Sequence, residues 1–300
     1  MRHAAVSLLQ KARSAVMNYH LLFSSHAPIP SSSSILSYSL NPTAAMSTAG
    51  PVVHSSVAEQ KRALRSRIRK ELRSFPSDQR SLEDMEIQKF VLDSSWFKSA
   101  KSLCAYISCE ALREVDTTRI LSEILKNKTH GVFDDSSGHH TRLRKKLYVP
   151  RVEDKNSNMR MLHISTTEDL VANSMNIFEP SPTDASGKHR EDVMLASEPV
   201  DFFLLPGVAF DRQGRRLGRG GGYYDVFLKN YQKLAKEQKW KQPLLIALAY
   251  SPQIIVENVI PVTDTDVPVD ALVSPSVLSK PSYLLPQFRY SPYASDLCFR

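Results

Sequence analysis

Apolar positions along the chain change period several times, and each change marks an element. From Val57 to Arg73, apolar residues stand at Val57, Leu64, Ile68 and Leu72 with bases between them, a helical spacing that Pro76 ends. Ser77 caps a second helix, whose apolar face reads as Leu82, Met85, Ile87, Phe90 and Val91. A strand follows from Ser102 to Ser108, then a helix from about Asp116 that turns Ile120, Leu121, Ile124 and Leu125 inward. Further strand-length runs stand at Leu147–Pro150, Met159–Ile164, Asp201–Leu205, Leu244–Tyr250 and Val269–Val273, with a helix from Tyr223 to about Glu237. Strands alternating with helices predict an α/β domain, layered around a mostly parallel sheet.

Two stretches break the pattern. Residues 129–146 hold Asp134, Asp135, His139 and His140 among glycines, between a helix and a strand. Adjacent residues in a loop rarely converge on one ion, so this reads as a solvated insertion rather than a metal site. Pro180 to Ala196 forms a second polar loop.

Composition changes the picture only in places. With 300 residues, 42% of them apolar, the chain can bury one substantial core or two small ones. No apolar run approaches the length that spans a bilayer, so no membrane partner is expected. The net charge of +8 suggests nucleic acid until it is located. Residues 1–58 carry Arg2, Lys11 and Arg13 with no acid, and residues 59–73 carry seven bases against two acids. The remainder is neutral, which argues against a nucleic-acid partner, since such binding needs many phosphate contacts. Cys104, Cys109 and Cys298 have no zinc or disulfide spacing, and Cys104 is expected as a small buried side chain.

The acid-free start is Ser- and Ala-rich, as targeting leaders are. On a helical wheel Ala5, Leu8, Leu9, Ala12, Val16, Tyr19 and Phe23 share an arc of about 100°. Residues 1–56 therefore read as an organelle transit peptide, disordered and addressed to the mitochondrion. A chloroplast is the alternative, as is a cytosolic form begun at Met46.

The segment Leu204 to Asp225, LLPGVAFDRQGRRLGRGGGYYD, carries the most chemistry. A strand ends, a turn follows, and Arg215, Arg216 and Arg219 mingle with Gly218, Gly220, Gly221 and Gly222 before a helix starts. Glycines let backbone N–H groups approach an anion at a helix start, and guanidiniums reinforce them. Tyr223 stands where a dinucleotide fingerprint needs glycine, and no Gly-Lys-Ser/Thr follows, so this is neither a Rossmann nor a Walker loop. Asp225 in the first helical turn and Asp270 before the last strand could hold Mg²⁺ beside bound phosphates. Either could instead serve the fold alone.

KRALR (Lys61, Arg62, Ala63, Leu64, Arg65), FDRQGRRLGRGGGYYD (Phe210 to Asp225) and VPVDALV (Val267 to Val273) together resemble the 5-formyltetrahydrofolate cyclo-ligase family. The likeness spans about residues 57–278, leaving a tail at 279–300. It implies a three-layer α/β fold similar to the sugar-isomerase and CoA-transferase group. It also implies ATP- and Mg²⁺-dependent conversion of 5-formyltetrahydrofolate to the 5,10-methenyl form, with ATP as co-substrate, by a monomer. By position, Lys61 to Arg65 and Arg216, Leu217, Gly218, Arg219, Gly220, Gly221, Gly222, Tyr223 and Tyr224 match the nucleotide contacts. Ile107, Glu114 and the run Arg219 to Tyr223 match the folate contacts, with Arg219 and Tyr223 as the catalytic pair. Asp225 and Asp270 match the metal ligands. Lysine stands at the Gly221 position in some relatives, so a side chain is expected to fit there, whereas Gly220 and Gly222 are expected to require glycine.

Two other readings remain. A sugar-phosphate isomerase or acyl-CoA transferase shares such folds, but has no need of carboxylates for a metal beside a nucleotide loop. An organellar RNA-binding protein could use Lys61–Arg73, but no RNA-binding motif accompanies that helix.

Overall fold

The computed structural model describes residues 55–126, 145–173, 177–256 and 258–275. The leader to residue 54, residues 129–144 of the insertion, Cys298 and the 279–300 tail lie outside the described residues.

Helix α1 (Val57–Ser74) begins at a capping box, in which the Ser56 hydroxyl and the Glu59 carboxylate each accept the other residue's N–H. Its buried stripe is Leu64, Ile68 and Leu72. Burying each of them contributes roughly 1.5–3 kcal/mol relative to exposure.

Helix α2 (Ser77–Asp93) departs from the expected face. Leu82 and Met85 are 50% and 56% exposed, while Glu83 and Gln88 turn inward beside Ile87 and Val91. Buried donors on other segments explain the exchange. The Glu83 carboxylate accepts the Ser251 N–H at 2.8 Å, and Asp84 accepts the Asp116 N–H and the Tyr250 hydroxyl. Leaving such donors unpaired costs more than burying an acid that satisfies them.

A short helix α3 (Ser95–Ser99) leads into β1 (Ser102–Ala105), and α4 (Thr118–Lys126) buries Ile120, Leu121, Ile124 and Leu125 as expected. Strands β2 (Lys146–Val152) and β3 (Met159–Ile164) follow, then a small hairpin of β4 (Leu170–Ala172) and β5 (Phe178–Pro180). Next come β6 (Phe202–Leu205), the two-residue strands β7 (Ala209–Phe210) and β8 (Arg216–Leu217), α5 (Tyr223–Glu237), β9 (Leu244–Leu248) and β10 (Ala271–Val273).

Six strands join in the order β10-β9-β6-β1-β2-β3, all parallel except the edge strand β3. Successive residues alternate between two cores. Leu103, Leu147, Phe202, Leu204 and Ile246 pack with α1 to α4, while Cys104, Tyr148, Phe203, Leu245 and Ala247 pack with Phe227, Leu228 and Tyr231 of α5. The result is three layers with a mostly parallel sheet in the middle, and Cys104 is fully buried there.

Candidate functional site

The parallel strands β1 and β6 run out at the same end of the sheet, and a cavity of about 200 Å³ opens there. Tyr106 and Ile107 after β1 line it, as do Pro206 and Gly207 after β6. This is where open α/β sheets bind ligands. The far wall comes from Pro150 and Val152 of β2, Met159 of β3, and Ile177, Phe178 and Glu179.

The glycine loop closes one side of the cavity. Gly220 and Gly222 have φ of +110° and +70°, a region that suits glycine, and Gly222 caps the start of α5. Their N–H groups meet no acceptor among the described residues. Gly221 behaves differently from expectation. Its φ is ordinary, but a Cβ there would lie 2.5 Å from the Tyr223 ring, so a side chain must displace that ring. The ring is held, because the Tyr223 hydroxyl donates to the Asp154 carbonyl at 2.8 Å.

Helix α1 braces the loop from outside. Arg65 Nε donates to the Gly218 carbonyl at 2.8 Å, and Arg69 donates to the Arg219 carbonyl at 3.1 Å. Lys61 pairs with Asp266 through both carboxylate oxygens. Lys61, Arg65 and Arg69 share one helical stripe; Arg62 and Ala63 face solvent, and Leu64 is core. Arg69 was missed because it lies outside the KRALR motif, although its spacing of four from Arg65 marks it. Leu217 likewise packs into the core.

Within the cavity two arginines meet two acids. Arg219 Nε donates to Glu114 Oε1 at 3.0 Å, and its Nη2 to the Leu112 carbonyl at 2.5 Å. Glu114 Oε2 accepts the Cys109 N–H at 3.1 Å. Burial raises the Glu114 pKa more than Arg219 and the Cys109 N–H lower it. Arg216 Nη2 donates to Asp225 Oδ1 at 2.7 Å, and the guanidinium lies 5.9 Å from the Tyr224 ring centre. Arg216 Nε is buried without a partner among the described residues. Burial also lifts the Tyr224 hydroxyl far above its usual range.

The two acids expected to share a metal do not converge. Asp225 lines the cavity; its Oδ1 also accepts the Val267 N–H, and its Oδ2 has no hydrogen-bond partner among the described residues. Asp270 stands where β10 begins, and its carboxylate accepts the Leu245 N–H at 2.8 Å at the start of β9. That is the opposite end of the strands from the cavity. Such a carboxylate completes the sheet backbone.

Of the expected residues, Ile107, Glu114, Arg216, Gly218, Arg219, Gly221, Gly222, Tyr223, Tyr224 and Asp225 line the cavity, with Gly220 in the same loop. Cys109, Leu112, Glu179 and the β4–β5 hairpin were not foreseen, since three-residue strands carry no readable period.

The sequence profile of the 5-formyltetrahydrofolate cyclo-ligase family matches residues 139–275. The chain is 58% identical over 243 residues to the mitochondrial 5-formyltetrahydrofolate cyclo-ligase of Arabidopsis thaliana, covering 80% of this chain and 84% of that protein. It is 28% identical over 221 residues to the Mus musculus 5-formyltetrahydrofolate cyclo-ligase, covering 73% and 95%. The NMR structure of Aquifex aeolicus 5,10-methenyltetrahydrofolate synthetase superposes with a TM-score of 0.53 at 27% identity, over 71% of this chain and 89% of that one. With a glycine-arginine loop at the mouth of a strand-end cavity and relatives matched over most of their length, the chain belongs to the 5-formyltetrahydrofolate cyclo-ligase family and is a ligase.

Proposed function

We propose that the enzyme uses ATP and Mg²⁺ to convert 5-formyltetrahydrofolate to 5,10-methenyltetrahydrofolate, releasing ADP and phosphate. ATP phosphorylates the formyl oxygen, N10 attacks the activated formyl carbon and loses its proton, and phosphate departs. The formyl oxygen is a poor leaving group until phosphorylated, so the site must stabilise a phosphoryl group in transfer.

One observation carries this reading: the positive-φ glycines Gly220 and Gly222 sit at the α5 start, ringed by Arg65, Arg69, Arg216 and Arg219, at the rim of an apolar cavity. The Gly220 and Gly222 N–H groups, unpaired among the described residues, can donate to phosphate oxygens. Arg219 and Tyr223 bound the folate side, with Ile107 packing on the substrate ring. The chemistry of the donor set fits Mg²⁺ at Asp225, through the oxygen that meets no protein donor, since this ion is usually held by one or two carboxylates plus phosphates. Bound there, Mg²⁺ supplies charge that offsets the negative charge of the transferred group. Residues 1–56 deliver the enzyme to the mitochondrion, a proposal supported by the acid-free leader and by the mitochondrial relative.

The test is incubation of the full chain with 5-formyltetrahydrofolate and Mg-ATP. Near-ultraviolet absorbance of the methenyl product should rise, with one ADP per turnover, and chelation of the metal should stop it. Product formation without ATP, or ATP consumption without product, would overturn the proposal.

A further inference from the structure

We infer that Glu179 is a specificity-determining residue, whose carboxyl group accepts paired N–H donors from the heterocycle of the bound substrate. The inference rests on the folate reading of this cavity, and it adds Glu179 to the folate contacts that the resemblance implies for Ile107 and Glu114.

Glu114 is already committed. One of its oxygens takes the Arg219 Nε and the other the Cys109 N–H, so its burial is offset without a ligand. Glu179 is the opposite case. It is 9% exposed, lines the same cavity from β5, and has no lysine, arginine or histidine within ion-pairing distance among the described residues. Its contact is the Val152 N–H at 3.4 Å, which is long for a hydrogen bond. A buried acid with so little compensation is costly, and donors arriving with a ligand remove that cost.

The surroundings say what kind of ligand. Val152, Met159, Ile177 and Phe178 give the wall around Glu179 an apolar, ring-accepting character. A flat heterocycle placed there needs adjacent N–H donors to satisfy a carboxyl group. The 2-amino-4-oxopyrimidine edge of a reduced folate has them, an amino group beside a ring N–H, spaced for two parallel bonds to one carboxyl.

The test uses the full chain, 5-formyltetrahydrofolate, and an analogue bearing a methyl group in place of the 2-amino group. Wild type should prefer the natural substrate by at least about tenfold in kcat/KM, the scale of one hydrogen bond to a charged group. Glu179→Gln should raise the folate KM about tenfold with the ATP KM and the Tm unchanged, and should lose most of the discrimination. Glu179→Ala should lose it almost entirely; if that variant does not fold, the isosteric Gln variant carries the measurement. Full discrimination retained in the variants overturns the inference and leaves the folate reading standing. A parallel fall in Tm with both KM values raised also overturns it, because Glu179 then serves as a clip between β5 and β2. No methenyl product from wild type overturns both.

Discussion

The two ends of the parallel sheet use the same functional group for opposite purposes. Where the strands begin, Asp201 accepts the N–H groups of Lys101 and Ser102, and Asp270 accepts that of Leu245. Where the strands end, Glu114 and Asp225 meet the guanidiniums of Arg219 and Arg216 in the glycine loop. An acid at a strand start finishes a backbone ladder, away from the cavity. An acid at a strand end pairs with a guanidinium beside the cavity. The neighbours of a carboxylate, rather than its place beside an apolar run, decide which role it has.

The sharpest way to break this comparison is to change one residue at each end. Arg219→Ala should lower kcat/KM about 10²–10³-fold, the scale seen when a donor to developing charge is removed, and should also lower the Tm by leaving the buried Glu114 without its cation. Asp270→Asn should leave turnover and its magnesium dependence unchanged. The amide oxygen still accepts the Leu245 N–H, while the charge that burial disfavours is gone. Burial raises the Asp270 pKa more than the Leu245 N–H lowers it, so the folded state holds its proton more tightly. The wild-type contribution is therefore most favourable at low pH and is lost as pH rises through the raised pKa, and the Asn variant lacks that slope. Asp270→Ala should destabilise by roughly 1–3 kcal/mol through the unpaired N–H. Steady-state kinetics across a magnesium titration, with urea melts, separates the two ends. A collapse of activity in Asp270→Asn would return that residue to the metal site.

Smaller effects separate the three glycines of the strand-end loop. Gly220→Ala and Gly222→Ala force a Cβ onto positive φ, a strain of roughly 1–3 kcal/mol, or about five- to 150-fold in rate if it falls on the transition state. Gly221→Ala should cost activity by another route, by pushing the Tyr223 ring off the Asp154 carbonyl. Its effect should therefore largely vanish in a Tyr223→Ala background, while those of Gly220→Ala and Gly222→Ala persist. Equal additivity at all three positions would show that Tyr223 plays no part.

Much of this was legible in the chain, and the failures share a cause. The runs at Leu244 to Leu248 and Phe202 to Leu205 announced buried strands because both faces of a parallel sheet are covered. The glycine-arginine loop stood out because glycines and guanidiniums gathered before a helix start suit an anion. Glu83 could not be read as core, since the N–H it serves belongs to Ser251, 168 residues away. Asp225 and Asp270 looked alike because each precedes an apolar run, and only the strand order shows that they lie toward different ends of the sheet. The β4–β5 wall, with Glu179 in it, was silent because its strands have three residues each.

Asp266 offers the mildest test, because it belongs to neither end as simply. Its carboxylate holds Lys61 of α1 and also accepts the Thr263 N–H at 2.7 Å, while the next residue, Val267, donates to Asp225. The segment thus ties α1, which braces the glycine loop, to the first turn of α5. Burial acts to raise the Asp266 pKa, but Lys61 and Thr263 outweigh it and the net shift is downward from 3.8. An acid whose folded pKa is lowered contributes stability above the unfolded value and loses it as pH falls through the folded one. Asp266→Asn should therefore lower the Tm at neutral pH by about 2–4 °C, the shift expected for roughly 1 kcal/mol in a domain of this size. The gap to wild type should close as pH drops below 3.8, the ordinary value for this group. Lys61→Met should cost a similar amount alone and add little in the Asp266→Asn background, since both remove one pair. A gap that stays constant from neutral to acid pH would mean that the contribution of Asp266 does not depend on its charge, and the cation-paired acid would then not differ in kind from those at the strand starts.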